Sequence, residues 1–565
     1  MVKRNKTTEK QTIFILGMLL LASVIVVLPV AFSGVPTGSD MPQHFQFAIT
    51  FLNSLQNGNL YPSLADATNG GFGDVGIRFY PPLAYYVMVG FRCLAGNWFD
   101  ASILTFTFWF FVSGVGMYYW CREYFSENAS LAAAVVYICM PYHVNQIYNA
   151  STYAEFAASS ILPFSFLFVT RVCRFGKTTD VIGLAVFYSI LVLTHLPLTI
   201  IGSISLLIYS ILTIEKNKAF QTLIKLSTAV FLGLLMSSFY WVRMVGELNF
   251  VKHTAAQFTA NDYDFHSNFL CSFLYKLFSE IDYRSSWFCD LMLLVSVSVF
   301  VPCALIFYKW SKEKRGQKLL NVSVLFVFSI FIATPLSVVI WEKLPLLEKI
   351  QFPWRWLAIT SITAAFFVAA CYKGLLDLFH TKARPTALLT VGLIIVSVIF
   401  TFTRVIKPSN QMPREDFSIQ TKYLLNSGSY ECWWAVWTQK EAMTAGQKAS
   451  ATDRPAQIIS WQPAERRIEF PAGNPTAARI STFYYPHWRA TVNNQPAEVK
   501  SDDNGAIIIA LPAEAADVKI WFQEPVPVRI ASYLSIFIWL GLGIAGIFAV
   551  KKNLFSLYFS NAKPF

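Results

Sequence analysis

Apolar runs of about twenty residues recur along this chain, and they constrain its fold more than any other feature. A run of that length crosses the hydrocarbon core of a bilayer as an α-helix. Of the 565 residues, 55% are hydrophobic and only 14% are charged. This composition excludes a soluble globular protein. The predicted fold class is an α-helical polytopic membrane protein.

The basic residues form short clusters between the apolar runs, within a formal net charge of +12. Clusters in that position mark cytoplasmic loops, so they do not indicate a nucleic-acid partner. The sequence contains no Walker loop, no dinucleotide fingerprint and no zinc-type spacing of Cys and His, which argues against nucleotide-driven chemistry. Most of the nine cysteines lie inside apolar runs, and only Cys271 and Cys289 are placed to pair outside the membrane.

The first apolar run is too long for a signal peptide, and we predict that it stays as the first helix with its basic flank in the cytoplasm. Residues 81–94 are short for a span and are interpreted as lying on the membrane surface. With that choice the loops rich in Lys and Arg fall on the cytoplasmic side. About twelve spans follow, with both ends inside: 12–32, 100–121, 127–143, 156–173, 180–195, 197–214, 222–244, 288–308, 319–340, 355–372, 386–403 and 529–549.

The other predicted elements, an interfacial helix and a β domain, lie in the loops outside the cytoplasm. In the first outer loop, residues 34–98, the segment 41–56 has apolar side chains on one helical face and polar ones on the other, so it is predicted to lie on the membrane. After residue 406 the long apolar runs stop and short alternating segments predict a small all-β domain. Its strands are predicted at 457–461, 467–470, 479–484, 489–492, 506–511 and 518–522.

The predicted domain organisation therefore has three parts. A transmembrane bundle occupies 1–406, an extracytoplasmic β domain 407–527, and a final span with a cytoplasmic tail 528–565.

Several short motifs carry a resemblance to a known superfamily. The order of one helix, an acidic residue at its outer end, two membrane-lying helices, a Pro-Pro entry and a helical bundle resembles the GT-C glycosyltransferases, which use polyprenyl-phosphate-linked sugars. More narrowly, the chain looks like the bacterial YfhO-like membrane proteins. The motifs are Asp40-Met-Pro-Gln-His44, Gly58-Asn-Leu-Tyr-Pro62, Phe79-Tyr-Pro-Pro-Leu83, Gln351-Phe-Pro-Trp-Arg355 and Tyr484-Tyr-Pro-His-Trp-Arg489.

Asp40 is the candidate general base, because a carboxylate at a partly dehydrated interface keeps enough basicity to take a proton from an acceptor hydroxyl. The alternative is that Asp40 caps the helix at 41–56, with Gln43 completing a capping box. His44, one turn later, would orient the acceptor, or it is a satisfied histidine on an apolar face.

The second outer loop supplies Glu155, since GT-C enzymes commonly carry a second acidic residue there; the alternative is that Glu155 stabilises the start of the next helix. His143 in the same loop is a candidate substrate ligand. No cofactor follows from the motifs. If a divalent cation, Mg²⁺ or Mn²⁺, takes part, Asp40 and Glu155 are its expected ligands.

Arg355 and Arg78 are the leading cations for the donor phosphate, because a guanidinium holds phosphate oxygens bidentately. Both would alternatively snorkel to lipid headgroups. Tyr80 and Lys252 complete the predicted substrate-binding set. Lys252 opens a long outer loop whose Asp262-Tyr-Asp-Phe-His266 run has too few oxygen ligands for a hard cation.

The resemblance implies an enzyme that moves a sugar from a polyprenyl-phosphate donor to a glycolipid, polysaccharide or protein acceptor. It places the enzyme among membrane lipids in the bacterial cytoplasmic (inner) membrane, where it serves the cell envelope with its site facing outward. A flippase or transporter is disfavoured because nearly all charges lie at span ends. An O-antigen-type polymerase and a non-catalytic glycan-assembly protein stay as alternatives.

Overall fold

The structure is a computed structural model that describes residues 9–260, 263–277, 287–310, 319–444 and 447–560. Nineteen α-helices lie within these ranges. They are α1 Glu9–Ser33, α2 Met41–Gln56, α3 Leu83–Ala95, α4 Trp98–Arg122, α5 Glu127–Ile138, α6 Pro141–Tyr148, α7 Tyr153–Arg174, α8 Thr178–Val192, α9 Leu196–Thr213, α10 Ala219–Met236, α11 Ser238–Glu247, α12 Trp287–Trp310, α13 Leu320–Ala333, α14 Val338–Lys343, α15 Pro345–Glu348, α16 Leu357–Phe379, α17 Arg384–Phe400, α18 Arg414–Leu424 and α19 Val526–Ser560.

Nine helices in the described ranges are long and apolar enough to cross a membrane, or ten if the pair bent by 87° at residue 334 counts as one span. Each of the twelve predicted spans overlaps a helix. Two of these helices are short: α5 has 12 residues and α8 has 15. The small side chains of α5 let it pack closely between α4 and α16. The chain is a multi-span membrane protein, as the sequence predicts.

The interfacial helix α2 differs from the prediction on its polar side. Gln43, Gln46 and Thr50 were expected to face water, but all three are buried. Residues 424–435, named here the cover segment, lie across this side of the helix. The Gln46 side-chain amide donates to the carbonyl oxygens of Leu424 and Ser427. The polar side chains of α2 therefore contact the cover segment and do not face water.

The strands near the C-terminus form two antiparallel sheets, one of four strands and one of five. All six predicted strands are present. Asn493 and Asn494, which follow one of them, both lie in the left-handed region. The domain boundaries after 406 and 527 stay a prediction. The strands are β1 Val35–Pro36, β2 Gln411–Met412, β3 Ala449–Ala451, β4 Gln457–Gln462, β5 Glu465–Phe470, β6 Thr476–Phe483, β7 Trp488–Val492, β8 Gln495–Ala497, β9 Lys500–Ser501, β10 Ala506–Leu511 and β11 Ala516–Phe522. The strand orders of the two larger sheets are β3-β6-β10-β9 and β4-β5-β11-β7-β8.

A buried ion network joins the helices to the strands. Arg78 is fully buried, and its guanidinium donates to both oxygens of Glu247 at 2.7 and 2.8 Å and to both oxygens of Glu524 at 2.8 and 2.9 Å. A further bond reaches the Ser63 carbonyl. Arg243 adds a second cation, 2.9 Å from Glu524. Because Glu247 ends α11 and Glu524 lies between β11 and α19, this network fixes the strands to the bundle.

The two carboxylates of this network predict how stability depends on pH. Burial raises the pKa of each, but the contacts of Glu247 with His487 and Arg78, and of Glu524 with Arg243 and Arg78, outweigh burial and lower both pKa values to about 2. A depressed folded-state pKa stabilises the protein above the unfolded pKa of 4.5, and that contribution is lost as pH falls through the folded value. We expect thermal stability in detergent to drop between pH 4.5 and about 2. An equally steep drop in a Glu247→Gln/Glu524→Gln variant would contradict this assignment.

The nine cysteines, which all lie in the described ranges, form no disulfide bond with one another. The candidate disulfide between Cys271 and Cys289 is therefore wrong. The backbone N–H of Cys271 instead donates to the side chain of Asp290 at 2.7 Å.

Candidate active site

The segment that carries Asp40 is held tightly against the bundle. Strands β1 and β2 pair just before it. The backbone N–H of Gly38 donates to the Ser151 hydroxyl at 2.9 Å. A Cβ at Gly38 would lie only 2.3 Å from the carbonyl oxygen of Asn149, so this approach requires glycine. Asp40 is thereby placed beside the loop that leads into α7.

Asp40 precedes α2, but its side chain does not cap that helix. Its backbone has the N-cap position, and the carboxylate makes no capping hydrogen bond. Gln43, which would complete a capping box, instead donates to Gln46 and accepts from the backbone N–H of Tyr430. The capping alternative is therefore wrong. The Asp40 carboxylate accepts a hydrogen bond from Ser39 at 3.2 Å and has no other hydrogen-bond partner in the part of the chain that the structure describes.

The surroundings of Asp40 make it a stronger base. Burial raises its pKa above the ordinary value of 3.8, the Ser39 hydrogen bond and the charge of Arg355 oppose the rise, and the charge of Glu155 adds to it. Arg355 and Glu155 lie within electrostatic reach of Asp40 although they are far apart in sequence. The structure thus brings together three of the predicted site residues.

Glu155 and Arg355 form a buried ion pair at this site. Glu155 is fully buried in the first turn of α7, and its Oε2 accepts from Arg355 Nε at 2.9 Å. Its Oε1 accepts from the Tyr142 hydroxyl at 2.5 Å and from the Gln146 amide at 3.1 Å. Helix α6 supplies both donors. Neither Tyr142 nor Gln146 was predicted from the sequence to belong to the site.

Some N–H donors of Arg355 are not used in hydrogen bonds to the described residues. Its Nη1 donates to the carbonyl oxygen of Ile350 at 2.6 Å, and its guanidinium lies over the rings of Phe352 and Trp354. Among the described residues its Nη2 has no hydrogen-bond partner. A guanidinium has five N–H donors, so at least two remain for an anion.

His44 and Tyr80 form the aromatic side of the site. His44 is buried, its Nδ1 lies 2.7 Å from the Tyr85 hydroxyl, and its ring stacks on Tyr153. Tyr80 meets the His44 ring edge-on at 6.0 Å. Burial lowers the pKa of His44 to about 3, so its imidazole is neutral at pH 7. Burial and the charge of Asp40 raise the pKa of Tyr80, which keeps its phenol protonated.

The cover segment closes the site from the strand side. The Tyr430 hydroxyl donates to the carbonyl oxygen of Ser39 at 2.6 Å. Trp433 contacts Tyr80 edge-on at 5.2 Å and His253 at 4.4 Å. An aromatic wall therefore lies next to the predicted base.

His195 is a site residue that sequence analysis missed. It lies between α8 and α9, where the pattern showed only a boundary between two spans. Arg355 and His44 act on it electrostatically, and together with burial they lower its pKa. The backbone N–H of Leu83 donates to the carbonyl oxygen of Leu193 at 2.9 Å, which ties this boundary to the segment that follows Tyr80.

Two predicted cations are engaged elsewhere. All five N–H donors of Arg78 bind protein oxygens in the buried network, so it has none left for a phosphate. The prediction that Arg78 binds substrate therefore lacks structural support. Lys252 pairs with Glu431 of the cover segment at 3.1 Å. Its part in substrate binding stays a prediction.

His143 lies in the layer behind Glu155. It is 1% exposed, its Nδ1 is 3.1 Å from the Ser159 hydroxyl, and its ring stacks on Tyr137. Ser159 in turn donates to Gln146, which binds Glu155. Because His143 is enclosed by protein, the structure favours support of Glu155 over the predicted contact with substrate.

Within the described ranges, no group of three or more His, Cys, Asp and Glu side chains is placed to hold a metal ion. Asp264 is hydrogen-bonded to His266 at 2.8 Å, and Asp262 lies outside the described residues. Asp40 and Glu155 alone offer too few oxygen ligands for Mg²⁺ or Mn²⁺, and Glu155 is already paired with Arg355.

A family model matches residues 77–406, which is more than half of the chain, and its description is "6-pyruvoyl-tetrahydropterin synthase related domain; membrane protein". The chain belongs to this membrane-protein family. The family segment begins just before Tyr80 and includes Glu155, His195 and Arg355. Asp40 and the strands that follow α18 lie outside it. No curated protein matches the chain.

The chain is similar to several solved structures at low identity, each with a TM-score below 0.5. Arabinofuranosyltransferase AftD from Mycobacteria matches at 12% identity and a TM-score of 0.45, over 70% of this chain and 27% of its own. ArnT from Cupriavidus metallidurans, bound to undecaprenyl phosphate, matches at 12% identity and a TM-score of 0.43, over 74% of this chain and 76% of its own. An oligosaccharyltransferase from Archaeoglobus fulgidus matches at 12% identity and a TM-score of 0.38, over 74% and 56%. The narrower YfhO-like resemblance is not confirmed.

Proposed function

We propose that this protein is a membrane glycosyltransferase that moves a sugar from a polyprenyl-phosphate-linked donor to an acceptor hydroxyl. One observation carries the proposal: the uncapped carboxylate of Asp40 shares its site with Arg355, whose Nη2 donors have no partner among the described residues. A base and a guanidinium within electrostatic reach of each other fit an acceptor hydroxyl and a departing phosphate, respectively.

The reaction follows from these two positions. The acceptor oxygen attacks the anomeric carbon of the donor sugar, and its proton passes to Asp40. The bond between that carbon and the phosphate oxygen breaks, and the polyprenyl phosphate leaves with the electron pair. Arg355 stabilises the charge that grows on this phosphate. Glu155 holds Arg355 in position through Nε.

The charges at the two ends of the bundle support an outward-facing site. Helices α4 and α7 both begin on the Asp40 side and end in Arg122 and in Arg171 and Arg174, respectively. An excess of Arg and Lys marks the cytoplasmic side of a membrane protein. We therefore place Asp40 and the strands outside the cytoplasm, in a bacterial inner membrane, with a glycolipid, polysaccharide or protein as acceptor.

The test is transfer by the purified full-length protein from radiolabelled undecaprenyl-phosphate sugars into a cell-envelope extract. Labelled product that depends on Asp40 would establish a transferase, and the labelled fraction would identify the acceptor class. Unconsumed donor across the panel would refute the function and move the flippase and assembly alternatives ahead.

Replacing Arg355 with Lys is expected to lower turnover by about 10². Lysine keeps the positive charge beside Glu155 but lacks the planar fork that binds phosphate oxygens in pairs. The rate would be compared with that of Arg404→Lys, because Arg404 is exposed near the outer end of α17. Equal rates for the two variants would exclude Arg355 from phosphate binding.

A further inference from the structure

A pocket lies where the interfacial helix α2 meets the strands. We name it the junction pocket, and its volume is about 80 Å³. A single water needs only about 10–15 Å³, so this pocket has room for a larger ligand. Binding sites for small molecules occur preferentially where separate structural units of a protein meet. The pocket is lined by Thr50, Asn53, Ser54, Asn59, Tyr61, Pro62, Ser63, Leu64, Asp66, Leu425, Pro463 and Ala464.

Hydrogen bonds hold the walls of the junction pocket in place. The Ser54 hydroxyl donates to the carbonyl oxygen of Asn59 at 3.1 Å, which fixes the chain that follows α2. The Ser63 hydroxyl donates to Glu524 at 2.6 Å and so joins the buried ion network. On the strand side, the carbonyl oxygen of Ala464 accepts from the last backbone N–H of β11 at 2.9 Å. The pocket is therefore formed before a ligand binds.

Two carboxamides in the pocket are not used by the protein itself. The backbone carbonyl oxygens of Asn53 and Asn59 accept hydrogen bonds, but their side chains bond to none of the residues that the structure describes. Each carboxamide has two N–H donors and one acceptor oxygen. Asp66 adds a carboxylate, which accepts. Donors and acceptors are thus present together in one cavity.

This combination of groups indicates the class of ligand. A sugar hydroxyl both donates and accepts, so neighbouring hydroxyls match a set of carboxamides and a carboxylate. Tyr61 and Leu64 add apolar surface for the C–H groups of a sugar ring. None of the described lining residues is Lys or Arg, and the Asp66 carboxylate repels anions, so a phosphate is disfavoured.

We infer that the junction pocket binds a neutral sugar unit of a glycan. Asp40 and Asn53 lie near opposite ends of α2, about 20 Å apart at a rise of about 1.5 Å per residue. A glycan that reaches both positions has several sugar units between them. On the proposed function, the pocket holds an inner sugar of the acceptor while the end that receives the new sugar lies at Asp40. The inference therefore selects a glycan over a protein as acceptor.

The experiment measures binding and not transfer. The full-length protein in detergent would be dialysed to equilibrium against radiolabelled neutral oligosaccharides released from a cell-envelope extract by mild acid. Asn53→Leu and Asn59→Leu each remove the donors and the acceptor of one carboxamide at nearly constant size. The matched control is Asn474→Leu, which makes the same change at an exposed position between β5 and β6.

We expect Asn53→Leu and Asn59→Leu to bind the oligosaccharides about tenfold more weakly than wild type, as for the loss of one or two hydrogen bonds. Asn474→Leu should bind like wild type. Melting temperatures should stay close to that of wild type, because neither carboxamide bonds to the described residues. If Asn53→Leu melts early, the affinity of Asn59→Leu decides. Undecaprenyl phosphate should not compete.

Three results would overturn the inference. They are the absence of oligosaccharide binding by wild type, equal affinities in the pocket variants and in Asn474→Leu, or displacement of the oligosaccharide by undecaprenyl phosphate or by the peptide fraction of the same extract. The expected binding pattern without any sugar transfer would instead refute the proposed function and leave the sugar site standing.

Discussion

Replacing Asp40 with Asn is expected to reduce sugar transfer by about 10²–10⁴ while the protein stays folded, since general-base catalysis contributes a factor of that size. Asparagine has nearly the same shape but cannot take a proton. The Asp40 side chain does not cap α2 and makes one hydrogen bond, to Ser39, so its loss should cost little stability. The initial rate of transfer from an undecaprenyl-phosphate sugar is the measurement.

The matched control is Asp503→Asn, which makes the same change at an exposed turn between β9 and β10. Transfer by the Asp40→Asn protein at the rate of this control would remove Asp40 from catalysis. A large drop in melting temperature would instead show that Asp40 has a structural task that its contacts do not indicate.

The rate should also depend on pH in a way that reports on Asp40. Because burial raises its pKa above 3.8, Asp40 becomes protonated, and stops acting as a base, at a higher pH than an exposed aspartate does. Transfer should therefore fall on the acid side at a pH above 3.8. An acid limb below that value would contradict the burial effect.

Replacing Arg78 with Met is expected to cost about 3–5 kcal/mol of unfolding free energy, which is the usual penalty for removing one partner of a buried ion pair. Arg78 is 0% exposed, and all five of its N–H donors bind protein oxygens. Its loss leaves Glu247 and Glu524 with Arg243 as the remaining guanidinium. Unfolding by SDS titration of the full-length protein would measure the loss.

Two further variants make this prediction specific. Arg467→Met removes an arginine whose pair with Asp517 is exposed, so unfolding should change little. Adding Glu247→Gln to Arg78→Met removes a buried carboxylate that Arg78 no longer neutralises and should recover part of the loss. If Arg78→Met and Arg467→Met unfold alike, the buried network does not stabilise the fold.

Periodic patterns allowed much of the architecture to be predicted. Each predicted span overlaps a helix, and each predicted strand is present, because apolar runs and alternating segments are local signals. Bends and short helices, in contrast, are not predicted by local signals of this kind. Helix α5 ends after 12 residues since Pro141 begins α6 three residues later, and the run of apolar side chains does not show this break.

The site could be predicted in part. Asp40, Glu155 and Arg355 were each expected at the outer ends of spans, and the structure places them together. Their pairing could not be predicted, because Arg355 and Glu155 are 200 residues apart. From the sequence, Arg78 was as good a candidate for binding phosphate as Arg355. The structure distinguishes them, because all five N–H donors of Arg78 bind protein oxygens whereas Arg355 makes only two such bonds among the described residues.

Two other outcomes depended on distant segments. The polar face of α2 resembles a water-facing face, yet the cover segment that buries it comes about 380 residues later in the chain. His195 was not predicted to be a site residue, because the sequence motifs considered were charged ones. Its place becomes clear only once the start of α9 is known. In both cases the role of the side chains depends on tertiary contacts, which the local sequence pattern does not reveal.

The network around Arg78 also sets an order of events during synthesis. Glu524 is made 446 residues after Arg78, and at about 5–20 residues per second this takes roughly 20–90 s. Throughout that interval the newborn chain holds an arginine whose second carboxylate does not yet exist. A chain that stops before residue 524 would therefore contain Arg78 with only one of the two carboxylates that pair with it in the complete protein.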